Sequence, residues 1–209
     1  MDSAKFWDNM AANYAKSKIG DEEAYAYGLE RIRSYLRADD KVLEIGCGTG
    51  STALELAKGV AELLATDISP NMVSIGQDKA REVGAENLRF AAGTVAEVAP
   101  EAAPYDAVVA LNLLHLLPNL EADLEVVRAS LKPGGMFISK TFFVPERGES
   151  LKSRFMRLIV PVLQKIGKAP FVRIFRAGDL EGLIENAGFE IVETGCIPAD
   201  RRFIVARKR

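Results

Sequence analysis

Short, mostly apolar runs alternate along the chain with longer segments whose apolar positions recur every three or four residues. The runs are Lys41–Ile45, Glu62–Thr66, Asn87–Ala91, Tyr105–Leu111 and Met136–Thr141. Their lack of strict polar alternation predicts strands buried on both faces. Helices are predicted between them. Ser51–Lys58 has Ser51 as its N-cap, and Pro70–Val83 has Ser69 at the cap and Pro70 in the first helical position. Leu120–Leu131 is stopped by the turn Lys132-Pro133-Gly134-Gly135. Two helices, Lys5–Lys16 and Glu22–Leu36, precede the first strand. A helix near Gly178–Ala187 and strands Phe189–Thr194 and Arg202–Arg207 close the chain. The short loop between those last two strands suits an antiparallel hairpin. The expectation is one α/β domain over 1–209, with a seven-stranded, mostly parallel sheet and helices on both faces. The last strand runs antiparallel, at an edge.

Composition narrows the function classes. The chain has 209 residues, 48% hydrophobic and 27% charged, with 27 Lys plus Arg against 29 Asp plus Glu. A nearly neutral, apolar-rich chain is not a disordered one, and it lacks the basic excess of a dedicated nucleic-acid binder. Two cysteines, Cys47 and Cys196, cannot build a disulfide framework, and with a single histidine no metal centre is expected. The start, Met1 to Tyr14, has no secretory apolar region, and the longest apolar stretch, near Ala107 to Leu117, is too short to span a bilayer. A soluble, cytoplasmic protein is expected. Charge is unevenly spread, however: residues 1–150 carry net −8 and residues 151–209 net +6.

The segment richest in chemistry runs from Val42 to Gly50, where a buried strand enters a loop with glycine at 46, 48 and 50 and a helix comes at once after it. Glycine allows the backbone to turn tightly and lie against a ligand, and the helix start offers unpaired N–H groups. Three details bear on the ligand. The dinucleotide fingerprint asks for Gly or Ala three residues beyond Gly48, where Ser51 stands, and the lysine of a phosphate-binding loop is absent. Glu44, just before the first glycine, would repel a pyrophosphate but favour a cation. Asp67, 19 residues after Gly48 at the end of the second strand, can accept both hydroxyls of a ribose. A ligand with a ribose, a positive charge and no pyrophosphate is wanted.

The run Glu44-Ile45-Gly46-Cys47-Gly48-Thr49-Gly50 resembles the glycine motif of class I S-adenosylmethionine-dependent methyltransferases. Asp67-Ile68-Ser69-Pro70-Asn71-Met72 is similar to the ribose-binding stretch of that family. Tyr105 to Val109 followed by Asn112-Leu113-Leu114-His115 is similar to its fourth strand, and Leu131 to Gly135 to the turn before its fifth. The resemblance implies a Rossmann-like fold, S-adenosyl-L-methionine as cofactor with S-adenosyl-L-homocysteine as product, and a cofactor-binding core over 41–142. It further implies that Gly46 and Gly48 contact the methionine part, with Glu44 nearby, and that Asp67 holds the ribose. Ile68 and Met72 would flank the adenine, Thr94 and Val95 would meet its edge, and Asn112 and Leu113 would lie near the reactive methyl. Cys47 and Gly50 within the loop and Tyr14 on the first helix complete the candidate set. Where the family often has an acidic residue after the third strand, this chain reads Gly93-Thr94. Glu44, Met72 and Asn112 also have plain structural readings, as a strand-end carboxylate, helix packing and a turn former, and Cys47 reads as a small filler.

The resemblance is silent about the acceptor, and a small molecule is the default. His115 is either a general base at the acceptor rim or a residue of the apolar run Leu113–Leu117. The aromatic residues of the N-terminal helices, 1–38, either pack on the core or form a lid over the ligand. Residues 149–176 read either as an amphipathic helix on the core or as a substrate cap. Between 151 and 176 stand seven basic residues and no acidic one, which would recruit an anionic or lipid-like acceptor or touch a membrane surface transiently. A C-terminal helix and strand pair, 178–209, completes the layout. Two further functions stay open, a nicotinamide-dinucleotide oxidoreductase and a non-catalytic S-adenosylmethionine-binding protein. Oligomeric state is not legible.

Overall fold

Seven strands form one sheet in the order β3-β2-β1-β4-β5-β7-β6 in the computed structural model, which describes residues 3–17, 19–100, 102–143, 169–197 and 201–209. The strands are β1 (Lys41–Ile45), β2 (Glu62–Asp67), β3 (Leu88–Ala92), β4 (Tyr105–Leu111), β5 (Leu131–Phe142), β6 (Phe189–Cys196) and β7 (Arg201–Lys208). The helices are α1 (Ser3–Ala15), α2 (Glu22–Arg33), α3 (Ser51–Ala57), α4 (Pro70–Val83), α5 (Val95–Val98), α6 (Leu120–Ser130) and α7 (Ala177–Asn186), with a 3-10 turn at Leu114–Leu116. The basic amphipathic segment expected over 151–168 lies outside the described residues.

Successive residues of the inner strands serve opposite layers, as the pleat requires. Leu43, Val108, Phe137 and Ile204 pack with Val95 of α5, Leu124 of α6 and Ile184 of α7. Val42, Val109, Ile138 and Phe203 pack with Ile32 of α2, Leu56 of α3 and Ala80 of α4. Both faces are therefore apolar, which is why these runs do not alternate. The strand order reverses between β1 and its neighbours β2 and β4, all parallel to it. Such a switch point opens a crevice at the strands' carboxyl ends.

Three details differ from the expected layout. The antiparallel β7 is not the edge strand; it lies between β5 and β6, antiparallel to both. Phe203 to Ala206 are fully buried, whereas β6 alternates and exposes Val192, so burial assigns β7 the inner place. The expected turn at Lys132–Gly135 is a bulge within β5, whose pairing with β4 slips between Tyr105 and Ala107. The N-cap of α3 is Gly50, at φ 73°, rather than Ser51. Ser69 does cap α4, accepting from Met72 N at 3.1 Å ahead of Pro70.

Candidate active site

At the switch point lies a cavity of about 380 Å³. Its floor is the loop after β1, which crosses the cavity with Gly46 at φ 67° and Gly48 at φ 56°. A side chain at Gly46 is disfavoured by that left-handed backbone and would push aside Leu113, whose Cδ1 would stand 2.6 Å from the added Cβ. The loop is tied to β2 at two adjacent residues. Cys47 N donates to Thr66 O at 2.9 Å, and Gly48 N donates to Asp67 Oδ2 at 2.9 Å. The second carboxylate oxygen of Asp67 accepts from Ser69 N, also at 2.9 Å.

A lysine holds the same loop from behind. Lys79 Nζ on α4 donates to Thr49 O at 3.1 Å, to Thr49 Oγ1 at 3.0 Å and to Ser51 Oγ at 3.1 Å. Three donors on an ammonium are matched by three oxygens. Lys79→Met is expected to loosen the turn, so that the Gly50 amide exchanges with solvent about tenfold faster, as loss of roughly 1.4 kcal/mol of local stability implies. Native-state hydrogen exchange checks this; unchanged Gly50 protection would mean the lysine does not brace the loop.

Charge in the cavity's surroundings is strongly acidic. Glu44 on β1 is 2% exposed, and its Oε2 has no hydrogen-bond partner among the described residues. Burial, then the neighbouring Asp67, push its carboxyl pKa up to about 8. Burial also raises that of Asp67, against the two N–H groups it accepts from, and Asp8 adds to the rise. The Tyr14 phenol is raised by burial and by both acids. Two acids this close, one of them kept protonated by its burial and its neighbour, form an arrangement that a cation completes by favouring ionisation of Glu44.

The N-terminal helix supplies the upper wall. Ser3, Trp7 and Tyr14 of α1 line the cavity. Asp8 latches the helix in place: its Oδ1 accepts from Ser69 Oγ at 2.5 Å and from Asn71 N at 3.1 Å, both at the start of α4. The opposite wall is formed by the end of β4 and the loop beyond it, Leu111 to Leu113 and Leu116 to Asn119, with Asp123 of α6.

Of the residues expected from the sequence, Tyr14, Gly46, Gly48, Asp67, Ile68, Met72, Thr94, Val95, Asn112 and Leu113 all line this one cavity. Glu44, Cys47 and Gly50 do not; they stand directly behind it. Gly50 packs against Phe90, whose Cε1 would lie 2.6 Å from a Cβ there. The Cys47 thiol is pushed well up by burial and by Glu44 and Asp67, so it stays protonated as a packing group. Thr94 is engaged at the start of α5, where Glu97 Oε2 accepts from its N and its Oγ1, both at 2.8 Å. His115 is also away from the cavity. Its ring faces Phe142, 6.4 Å away between centroids, and burial followed by Arg201 lowers its pKa to about 4. Asn112 holds a left-handed backbone at φ 54°, a turn former and a cavity residue at once.

Sequence reasoning missed Ser3, Ile45, Thr66, Gly93, Ala96, Leu111, Leu116 to Asn119 and Asp123 as cavity residues. For the Leu116–Asn119 loop a signal existed, since it leaves the carboxyl end of a central strand, where α/β sheets place ligands. Asp123 sits one turn into a helix and carries no such mark.

Comparison with known proteins agrees with this geometry. A family model described as a methyltransferase domain matches residues 18–194. An uncharacterized methyltransferase, YcgJ of Bacillus subtilis (strain 168), is 30% identical over 130 residues, 60% of this chain and 51% of that protein. A ubiquinone biosynthesis O-methyltransferase of Acinetobacter baumannii (strain ACICU) is 26% identical over 157 residues, 75% of this chain and 66% of that protein. The chain thus spans about half the length of the first relative and about two thirds of the second. Among solved structures, magnesium protoporphyrin IX methyltransferase (ChlM) from Synechocystis PCC 6803 with bound SAH shares the fold, with a TM-score of 0.73 at 20% identity over 99% of this chain and 98% of that one. The DhpI–SAH complex does so with a TM-score of 0.75 at 21% identity over 98% and 94%. With the match spanning most of its length, and with the glycine loop and acidic strand end in their expected places, the chain belongs to the methyltransferase-domain family, of the class I S-adenosylmethionine-dependent type.

Proposed function

We propose that this protein transfers the methyl group of S-adenosylmethionine to a small-molecule acceptor. The observation that carries the reading is buried Glu44 beside half-buried Asp67, next to a loop whose glycines at 46 and 48 hold positive φ. The residues fit the cofactor: the buried carboxyl of Glu44, with an oxygen that has no partner among the described residues, can ionise against a positive charge. A second acid at the end of β2 suits a pair of sugar hydroxyls. A pyrophosphate in the same place would meet the Asp67 carboxylate and, once ionised, that of Glu44.

In this reading Gly46 and Gly48 hold the amino-acid end, with Glu44 compensating its charge from behind, and Asp67 holds the ribose. Ile68 and Met72 sandwich the base, while Thr94 and Val95 meet its edge. When bound, the cofactor supplies an electrophilic methyl whose leaving group is a neutral thioether. The protein's own task is orientation and exclusion of water, effects worth roughly 7–11 kcal/mol when fully realised. Trp7 and Tyr14, latched by Asp8, would exclude solvent from above. Asn112 and Leu113 would position the acceptor face. With His115 turned away from the cavity, the reading favours acceptors that are nucleophilic near neutral pH without a histidine base.

The test is a calorimetric titration with S-adenosylmethionine and S-adenosylhomocysteine, followed by a radiolabel screen of thiols, phenols, amines, carboxylic acids and lipids. Binding of both nucleosides with turnover of at least one acceptor is expected. Failure to bind either at millimolar concentration would overturn the proposal.

A further inference from the structure

Two charged side chains line the cavity among the described residues, Asp67 and Asp123. Asp67 is accounted for, by the two backbone N–H groups it accepts and by the ribose it would hold. Asp123 is not. It stands half-buried in the first turn of α6, and its carboxylate makes no hydrogen bond or ion pair with any described residue. Burial raises its pKa, with no opposing contribution from a described residue. A carboxylate partly withdrawn from water is ordinarily matched by a donor. Here the ligand space is where a donor can stand.

The place of Asp123 indicates which part of the ligand it meets. α6 packs against α5, and Leu124, the next residue, shares one apolar cluster with Val95. Val95 and Ala96 both line the cavity, so Asp123 belongs to its α5 end. The loop after β1 lies elsewhere in the cavity, where Gly46 stands against Leu113. In the methyl-transfer reading that second region holds the amino-acid end and the methyl, and the α5 end takes the nucleobase. The ring nitrogens of adenine accept hydrogen bonds, whereas its exocyclic amine donates and needs an acceptor. Gly93 and Thr94, after β3, bring no carboxylate there, and the Thr94 hydroxyl and N–H both donate to Glu97 at 2.8 Å. Asn119 is exposed at the start of α6.

We propose that Asp123 reads the cofactor's base, its carboxylate accepting a hydrogen bond from the exocyclic amine of adenine. The inference rests on the methyl-transfer reading and assigns the choice of nucleobase to a residue of α6. A purine lacking that amine would leave the carboxylate without a donor, and a site built to bond an N–H rejects the analogue without it. An acid in the first turn of a helix also favours the helix dipole. That effect stabilises α6 whatever base is bound, so it predicts no discrimination between bases.

The probes are S-adenosylhomocysteine and its 6-deamino analogue, in which hydrogen replaces the amine. Both are titrated by calorimetry into wild type, Asp123→Ala and Asp123→Asn, with thermal unfolding measured alongside. Wild type is expected to bind S-adenosylhomocysteine about tenfold more tightly than the analogue, the effect of one charge-assisted hydrogen bond. In Asp123→Ala the preference should vanish, through lost affinity for S-adenosylhomocysteine with that for the analogue retained. Asp123→Asn keeps a neutral acceptor oxygen and should keep about a threefold preference. Equal binding of the two nucleosides by wild type, or a preference undiminished in both variants, would overturn the assignment and leave methyl transfer intact. An alanine variant with unchanged S-adenosylhomocysteine affinity but a raised acceptor KM would also overturn it, by placing Asp123 at the acceptor. Wild type that binds neither nucleoside would overturn the methyl-transfer reading itself, and this inference with its premise.

Discussion

Asp67→Asn is expected to weaken S-adenosylhomocysteine binding by about a hundredfold, as loss of one or two charge-assisted hydrogen bonds implies. Each carboxylate oxygen already accepts one backbone N–H, from Gly48 and from Ser69. An ionised carboxylate has further lone pairs on both oxygens, and these are what a ribose would use. An asparagine keeps one acceptor oxygen and must aim its NH₂ group at a backbone N–H it cannot bond. It therefore loses a sugar hydroxyl and also gives up a backbone tie, at Gly48 or at Ser69. Calorimetry of the variant against wild type at pH 7.5 checks the effect, with thermal unfolding measured alongside to separate binding from folding. A loss of less than threefold would remove Asp67 from the site.

The second large effect couples stability to binding. Glu44 is expected to titrate near pH 8 in the free protein, against an ordinary 4.5. Between those values the folded state holds a proton that the unfolded state has released. Stability contributed by this group is therefore complete below about pH 4.5 and is lost as pH rises through about 8. The loss amounts to a few kcal/mol, taken as an order of magnitude. Glu44→Gln is neutral at every pH and escapes it, so the variant should gain thermal stability relative to wild type at pH 8.5, with little difference near pH 4.5. The same change should weaken S-adenosylmethionine, because the positive ligand would stabilise the ionised glutamate. In wild type, binding should release protons between about pH 6 and 8 and tighten over that interval; in the variant this pH dependence should flatten. Unfolding scans and titrations in buffers of different ionisation enthalpy measure both halves. A variant destabilised at pH 8.5, or one with unaltered proton release, would contradict the assignment.

Glu44 and Asp67 stand out in the linear chain because the signals around them are local. The strand, the glycine turn and the start of α3 occupy one stretch from Lys41 to Ala57, where positive φ and helix-end chemistry act over a few residues. Ser69 and Pro70 mark the start of α4 in the same short-range way. His115 shows the limit. Its position after β4 was legible, yet whether its ring faces the ligand or the Phe142–Arg201 corner depends on a turn of backbone that no neighbouring residue dictates.

Local chemistry was enough for the layered α/β class, the strand-loop-helix at 41–57 and the acidic, glycine-lined character of the ligand site. Backbone sterics and apolar periodicity act over a handful of residues, so those features need no distant partner. Only in the folded chain does β7 enter between β5 and β6, Asp8 clamp α1 over the cavity, and Asp123 join its wall. Only there does Arg201 reach Asn112. Each of these joins segments far apart in the chain, and such pairings are selected by which faces bury together rather than by any local preference.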